Sequence, residues 1–223
     1  MAASTKPVVI FGSGELSEVA HYYFEKDSDR SVTAFTVDDD HLTEQTFCGK
    51  PVVPFEDLSN SHPPDAHDGF VAVGYSGLNK LRMDKCLAYR ALDYDLASYV
   101  SSRANVLTEH IGWNVFLLED NTVQPFVRIG NGVTLWSGNH IGHHASIGDF
   151  AFISSHVVIS GGVSVGERTF MGVNATTNDH ISIGERCLIG SGALITKDVD
   201  DEGVLSAEPA KLSRVPSSRL RGI

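Results

Sequence analysis

Apolar residues recur at every sixth position through the second half of this chain. The steps fall on Ile111, Leu117, Val123, Ile129, Leu135, Ile141, Ile147, Ile153, Ile159, Val165, Met171, Thr177, Ile183, Ile189 and Ile195, and only Thr177 breaks the apolar rule. Glycine often follows the step, as at Gly130, Gly142, Gly148, Gly166 and Gly184, and the residue two places before it is usually small or Val, as at Ala145, Ala151, Val157 and Ala175. A period of six suits neither the 3.6 of a helix nor the alternation of a strand, so the chain must turn a corner within each unit. Three units make a triangular coil of about eighteen residues, with the stepping side chain inside and glycine at corners where a Cβ would clash. Fifteen steps predict about five coils stacked at about 4.8 Å, a parallel β-helical rod about 24 Å long.

The first hundred residues read differently. Pro7 to Phe11 is a short buried-strand pattern, Gly12-Ser13-Gly14 a tight turn, and Glu15 to Lys26 has helical spacing through Leu16, Val19, Ala20 and Tyr23. A second strand, Val32 to Val37, runs into Asp38-Asp39-Asp40; Gly69 to Gly74 makes another, followed by a helix from Leu78 to about Arg90. This order predicts a Rossmann-like βαβ half over residues 1–100, ahead of an all-β rod over 101–223. Tyr94 to Glu109 is expected to carry the chain between them. The third glycine of the dinucleotide fingerprint is missing, since Ser17 stands there, and the domain is too small for two mononucleotide halves. Asp38, 24 residues beyond Gly14, lies near where such folds set a carboxylate on a ribose or base edge. A solvated turn would favour the same acidic run.

The formal charge of −11 argues against nucleic acid or an anionic membrane as partner. No apolar run reaches eighteen residues, and the N-terminus enters a strand without a signal peptide pattern. Cys48, Cys86 and Cys187 match no disulfide or zinc spacing, which suits a reducing compartment and a cytoplasmic location. The tail carries Lys211, Arg214, Arg219 and Arg221 without an acidic residue among them, a candidate anion site or a solvated helix face.

Chemistry concentrates where histidines do. Four of the ten, His140, His143, His144 and His156, fall within seventeen residues. Because the inward positions are aliphatic, these must lie on the faces or corners of the coil. Imidazole suits proton transfer near neutral pH, so the cluster fits acyl transfer with a histidine base. A zinc site would need three convergent ligands and an open position, and no metal is expected here. No cysteine or serine shows a nucleophile constellation, so direct attack in a ternary complex is the expected route.

The hexapeptide rod, the small domain before it, the run His143-His144-x-x-Ile147-Gly148-Asp149-Phe150, Val73-Gly74 followed by Asn79 and Arg82, and the terminal Pro209-Ala210-Lys211 together resemble the sialic acid O-acetyltransferase family. That family includes the nucleotide-aminosugar N-acetyltransferases. The resemblance implies a left-handed β-helix, a homotrimer, acetyl-CoA in a groove between two rods, and a nucleotide-linked sugar held by the N-terminal domain.

Residue by residue, the resemblance makes His143 the catalytic base and puts His144 where a Glu or Asp usually orients it. His144 is then expected to receive an orienting hydrogen bond, or Asp149 or a neighbouring subunit to supply the missing carboxylate. Phe152 stands where some members have a histidine touching acetyl-CoA, with His156 as its replacement. Gly161 maps to the backbone contact to the thioester oxygen, Val173 and Ser191 to pantetheine-lining positions, and Lys211 to the acetyl-CoA site. Gly12, Ser13, Gly14, Asp38, Asp39 and Gly74 map to the nucleotide-sugar site. The implied reaction is acetyl-CoA-dependent N-acetylation of a nucleotide-linked amino-deoxysugar at C4. Sugar O-acetylation is the second reading; a metal-dependent hydratase and a non-catalytic sugar-nucleotide binder are more distant ones.

Overall fold

The computed structural model describes residues 5–219. Its N-terminal part is β1 (Val8–Phe11), α1 (Glu15–Lys26), β2 (Val32–Val37), β3 (Thr46–Phe47), β4 (Lys50–Pro54), α2 (Leu58–Ser61), β5 (Asp68–Val71) and α3 (Lys80–Ala91). The sheet order is β3-β4-β2-β1-β5, parallel except for the β3–β4 pair. β1 is buried throughout, which is why it reads as an unbroken apolar run. Gly12 turns the chain at φ 115°, and a Cβ there would lie 2.5 Å from Ser17 Oγ. Ser17, in place of the third fingerprint glycine, is itself buried and donates to Ala72 C=O at 2.9 Å, tying α1 to the end of β5.

From Tyr99 onward the chain is a left-handed parallel β-helix with three faces of two-residue rungs. The first face stacks seven, beginning with Tyr99–Val100 and ending with Val204–Leu205; the second stacks six, from Asn105–Val106 to Leu194–Ile195; the third has four, from Arg128–Ile129 to Ser182–Ile183. The rod is therefore longer than the six-residue step predicts, about 29 Å from its first rung to its last. The expected connector already holds two rungs, Tyr99–Val100 and Asn105–Val106. They pair with residues seventeen positions on, and Leu188–Ile189 pairs sixteen on with Val204–Leu205. Coils shortened by one or two residues keep the ladder but break the period.

Two devices shape the corners. Every sixth residue adopts the left-handed region, including Phe126, His144, Phe150, His156, Arg168 and His180. The glycine after the step lets coils stack: a Cβ on Gly142 would lie 2.6 Å from Gly161 N. Inside, the stepping aliphatics form one continuous core. Thr177 keeps its inward place by accepting the Ser160 N–H on its hydroxyl at 2.9 Å, while its carbonyl accepts from Ser160 Oγ at 2.7 Å.

The upper first face is roofed by the α/β part. Tyr99, Phe116 and Leu118 share a core with Phe24, Phe35 and Phe70. Asn114 caps both Val71 backbone groups, at 2.7 and 3.2 Å. Asn79 and Arg82, two motif residues, fasten α3 to the rod: Asn79 donates to Arg168 C=O, and the buried Arg82 guanidinium donates to Phe150 C=O at 2.9 Å and to Ala151 C=O at 3.3 Å. Burial lowers the Arg82 pKa to about 10, so it remains a cation at neutral pH. No helix among the described residues is long and apolar enough to cross a membrane.

Candidate functional site

His143 stands at the corner between the second and third faces, one residue before the left-handed His144. Its backbone N–H donates to Gln124 Oε1 at 2.8 Å on the coil above, and Gly162 N–H on the coil below donates to its C=O at 2.9 Å. The imidazole lies against Gly161, where a Cβ would come within 2.8 Å of Cε1 and 3.0 Å of Nε2. His143 Nδ1 is 3.1 Å from His144 Nδ1, so one of the two rings donates and the other accepts. His144 in turn rests on Phe126, ring centroids 4.7 Å apart. Both histidines are exposed.

Two groups named for this corner have other partners within the chain. Asp149 does not serve His143: it lies at the next corner, where its carboxylate accepts from Asn131 N–H at 2.8 Å and from Asn131 Nδ2 at 3.1 Å. Gly161 N–H donates to Asp179 Oδ1 at 3.1 Å. Asp179 and His180 went unnoticed in the sequence although they belong to this corner. They follow His143 and His144 by 36 residues, two full coils, and His180 packs on Gly162 just as His143 packs on Gly161.

A cleft of about 560 Å³ opens on the first face, under the start of α1 and the loop after β5. Phe152, Val173, Ser191 and Gly74 line it together, with Tyr75, Trp136 and Phe170 supplying further aromatic wall. Phe152 and Phe170 stack at 5.6 Å, and Tyr75 meets both, at 5.2 and 4.9 Å. His156 occupies the corner between the first and second faces, near the cleft residues Ser154 and Ser155 but outside its lining. His140 projects from the second face, between Thr122 and Val158. The cleft and the His143 corner are thus separated by a full face of the rod, so one chain does not bring these predicted residues together.

The positions expected to hold the nucleotide sugar gather at the carboxyl ends of the parallel strands, the usual ligand edge of such sheets. Gly14 caps α1 with no side chain above it, and Ser13 opens onto a small pocket shared with His41 and Glu44. Asp38 is not free there: it pairs with Lys85, whose ammonium also lies 5.0 Å from the Phe11 ring. Asp39 N–H donates to Glu56 Oε2 at 3.2 Å. Lys211 is exposed in a tail that forms no helix through Val215, lies in neither recess, and Arg221 falls outside the described residues. Among the described residues no three His, Cys, Asp or Glu side chains converge as metal ligands.

Residues 126–161 match the family model for the bacterial transferase hexapeptide (six repeats), and residues 162–197 that for the hexapeptide repeat of succinyl-transferase. No curated protein matches the chain. Among solved structures, the acetyltransferase domain of PglB from Neisseria gonorrhoeae FA1090 in complex with acetyl coenzyme A is similar over 93% of this chain and 99% of that one, at 24% identity and TM-score 0.80. PerB from Caulobacter crescentus, in complex with CoA and GDP-perosamine, is similar over 94% and 98%, also at 24% identity and TM-score 0.80. A histidine-to-asparagine variant of perosamine N-acetyltransferase from Caulobacter crescentus, in complex with the same two molecules, aligns at 23% identity and TM-score 0.66 over 94% of this chain and 98% of that one. Residues 126–197 therefore carry hexapeptide repeats of the kind described for bacterial transferases, and the chain shares its fold with solved acetyltransferases.

Proposed function

We propose that this protein is an acetyl-CoA-dependent N-acetyltransferase acting on the C4 amino group of a nucleotide-linked amino-deoxysugar, with His143 as general base. The observation that carries the reading is the seat of His143: an exposed imidazole fixed over Gly161 and paired through Nδ1 with a second histidine. If His143 Nδ1–H donates to His144 Nδ1, the lone pair of His143 is on Nε2, ready to accept a proton. His144 then replaces the usual carboxylate as hydrogen-bond acceptor, and the bond strengthens when His143 becomes a cation.

The reaction follows from this arrangement. The sugar nitrogen attacks the thioester carbonyl, forming the C–N bond, and its proton passes to His143 Nε2. The tetrahedral adduct collapses, the C–S bond breaks, and the CoA sulfur leaves with the proton from the imidazolium. Histidine returns to its starting form. The similar fold of proteins solved with CoA and GDP-perosamine supports this choice of substrates.

The separation of His143 from the aromatic cleft favours a site shared between chains. In our reading three rods associate around a threefold axis, so that the His143 corner of one chain meets the cleft of the next, with acetyl-CoA in the groove between them. The free cysteines Cys48, Cys86 and Cys187 fit a cytoplasmic protein.

The test is His143→Ala, assayed by CoA release with a panel of nucleotide-linked aminosugars and by mass spectrometry of the product. Turnover should fall about 10²–10⁴-fold with acetyl-CoA affinity retained, and less for His144→Ala. Near-normal turnover in His143→Ala would remove it from the chemistry.

A further inference from the structure

Three corners of the rod pack a ring against a glycine, and the His143 corner departs from that habit. Phe150, His156 and His180 each lie beside the glycine eighteen positions earlier, one coil above: a Cβ would come within 2.4 Å of the Phe150 ring on Gly132, 2.5 Å of His156 Nδ1 on Gly138, and 2.2 Å of His180 Nδ1 on Gly162. Rings and glycines alike have positive φ. The missing Cβ lets each ring fold back over the coil above it.

His144 has the same left-handed backbone, at φ 60°, but eighteen positions before it stands Phe126. Phe126 is itself left-handed at φ 67°, a conformation that suits glycine and costs an aromatic residue, and it is 67% exposed. A glycine would fit this backbone better, and the core gains little from the ring. The ring instead meets His144, with 4.7 Å between centroids and 35° between planes. With the space over residue 126 filled, His144 cannot fold back as His156 and His180 do, and its Nδ1 stands 3.1 Å from His143 Nδ1. The two residues before Phe126 add anchors: Pro125 C=O accepts the His144 N–H at 3.3 Å, and Gln124 Oε1 accepts the His143 N–H at 2.8 Å.

We propose that Phe126 is a positioning residue for acyl transfer, which blocks the collapse of His144 onto the coil above and holds its Nδ1 against His143. The proposal rests on the general-base reading above and deepens it. An imidazole accepts through one ring nitrogen only, and an exposed ring has rotamer freedom to turn that nitrogen away. The Phe126 face confines the ring plane, and the Nδ1 contact selects the edge. A carboxylate at position 144 would offer two equivalent oxygens and would need no such platform.

The test compares activity with stability across a series at position 126. Phe126→Gly should lower kcat by about tenfold and Phe126→Ala, which keeps the Cβ, by about threefold, with KM for both substrates within about twofold of the parent. Phe126→Tyr should recover most of what Phe126→Ala loses. Because glycine relieves the left-handed strain, Phe126→Gly should melt at or above the parent temperature and sediment as the parent does. In a His144→Glu background, Phe126→Gly should change kcat by less than about twofold. An unchanged kcat in Phe126→Gly, an equal loss in the two backgrounds, or a loss accompanied by a lower melting temperature or altered sedimentation would overturn the proposal.

A readout without substrate separates this contact from the chemistry. In a ¹³C–¹H correlation spectrum of the histidine Cε1–H groups, the His144 resonance, identified by its disappearance in His144→Gln, should move downfield in Phe126→Gly as the ring current is lost. An unmoved resonance would sink the positioning role alone. A resonance that moves as expected, beside normal turnover in His143→Ala, would sink the general-base reading and leave the ring contact standing.

Discussion

At the scale of single residues, the account turns on how closely two glycines approach two histidines. Gly161 forms the floor under His143, and an alanine Cβ there would have to share space with Cε1 and Nε2. His143 is exposed, so its ring can swing outward at little cost to folding, but it then leaves the position that the proposed proton transfer requires. Gly161→Ala is therefore expected to lower kcat by about 10–100-fold while the melting temperature and acetyl-CoA affinity hold. Steady-state kinetics beside a thermal melt checks this, and an unchanged kcat would show that the Gly161 contact is incidental. The contact between His143 and His144 was legible because the two are adjacent in the sequence. Asp179 was not, since its relation to Gly161 appears only when the eighteen-residue coil length is applied to the polar residues as well as to the aliphatic steps. The Gly161 N–H contact to Asp179 was hidden for the same reason.

At the scale of elements, α1, β2 and the repeating rungs were readable from periodicity, and the ends of the rod were not. A search for sixes stops where a coil loses one or two residues, yet Val100 still pairs with Leu117 and Ile189 with Leu205. The docking of the α/β part was equally hidden, because it depends on single polar residues far apart in sequence. Asp27, just past α1, accepts from Tyr99 OH at 2.5 Å, from Ser101 Oγ at 3.0 Å, and from both the hydroxyl and the N–H of Ser102. The Ser102 hydroxyl and then Tyr99 hold its pKa down at about 2, from an ordinary 3.8. The charged form is thus favoured by folding: its contribution is full above the ordinary value and is lost as pH falls from there through about 2. Asp27→Asn should melt lower than the parent at pH 7, and the gap should shrink between pH 4 and pH 2. A gap that persists at pH 2 would mean that the loss reflects shape rather than charge.

At the scale of the whole molecule, the proposed chemistry is divided between a corner and a face of the rod. His143 points from one corner while the aromatic cleft opens a face away, and the α/β part roofs only the upper rungs of the first face, leaving Leu188 and Val204 exposed below. This division was out of reach of the sequence, in which Phe152 and His143 are only nine residues apart and look like neighbours. A shared site makes sense of it, and complementation tests it most directly. His143→Ala removes the base and leaves the cleft; Val173→Trp fills the cleft and leaves the base. Co-expressed in equal amounts and purified as mixed assemblies, the two inactive chains should recover activity, up to about one quarter of the wild-type value if subunits mix at random in a closed ring. Sedimentation of the same sample should give three times the 24.1 kDa chain mass. Activity no greater than the sum of the two separate variants, in assemblies shown to contain both chains, would contradict a site built from His143 of one subunit and the cleft of the next.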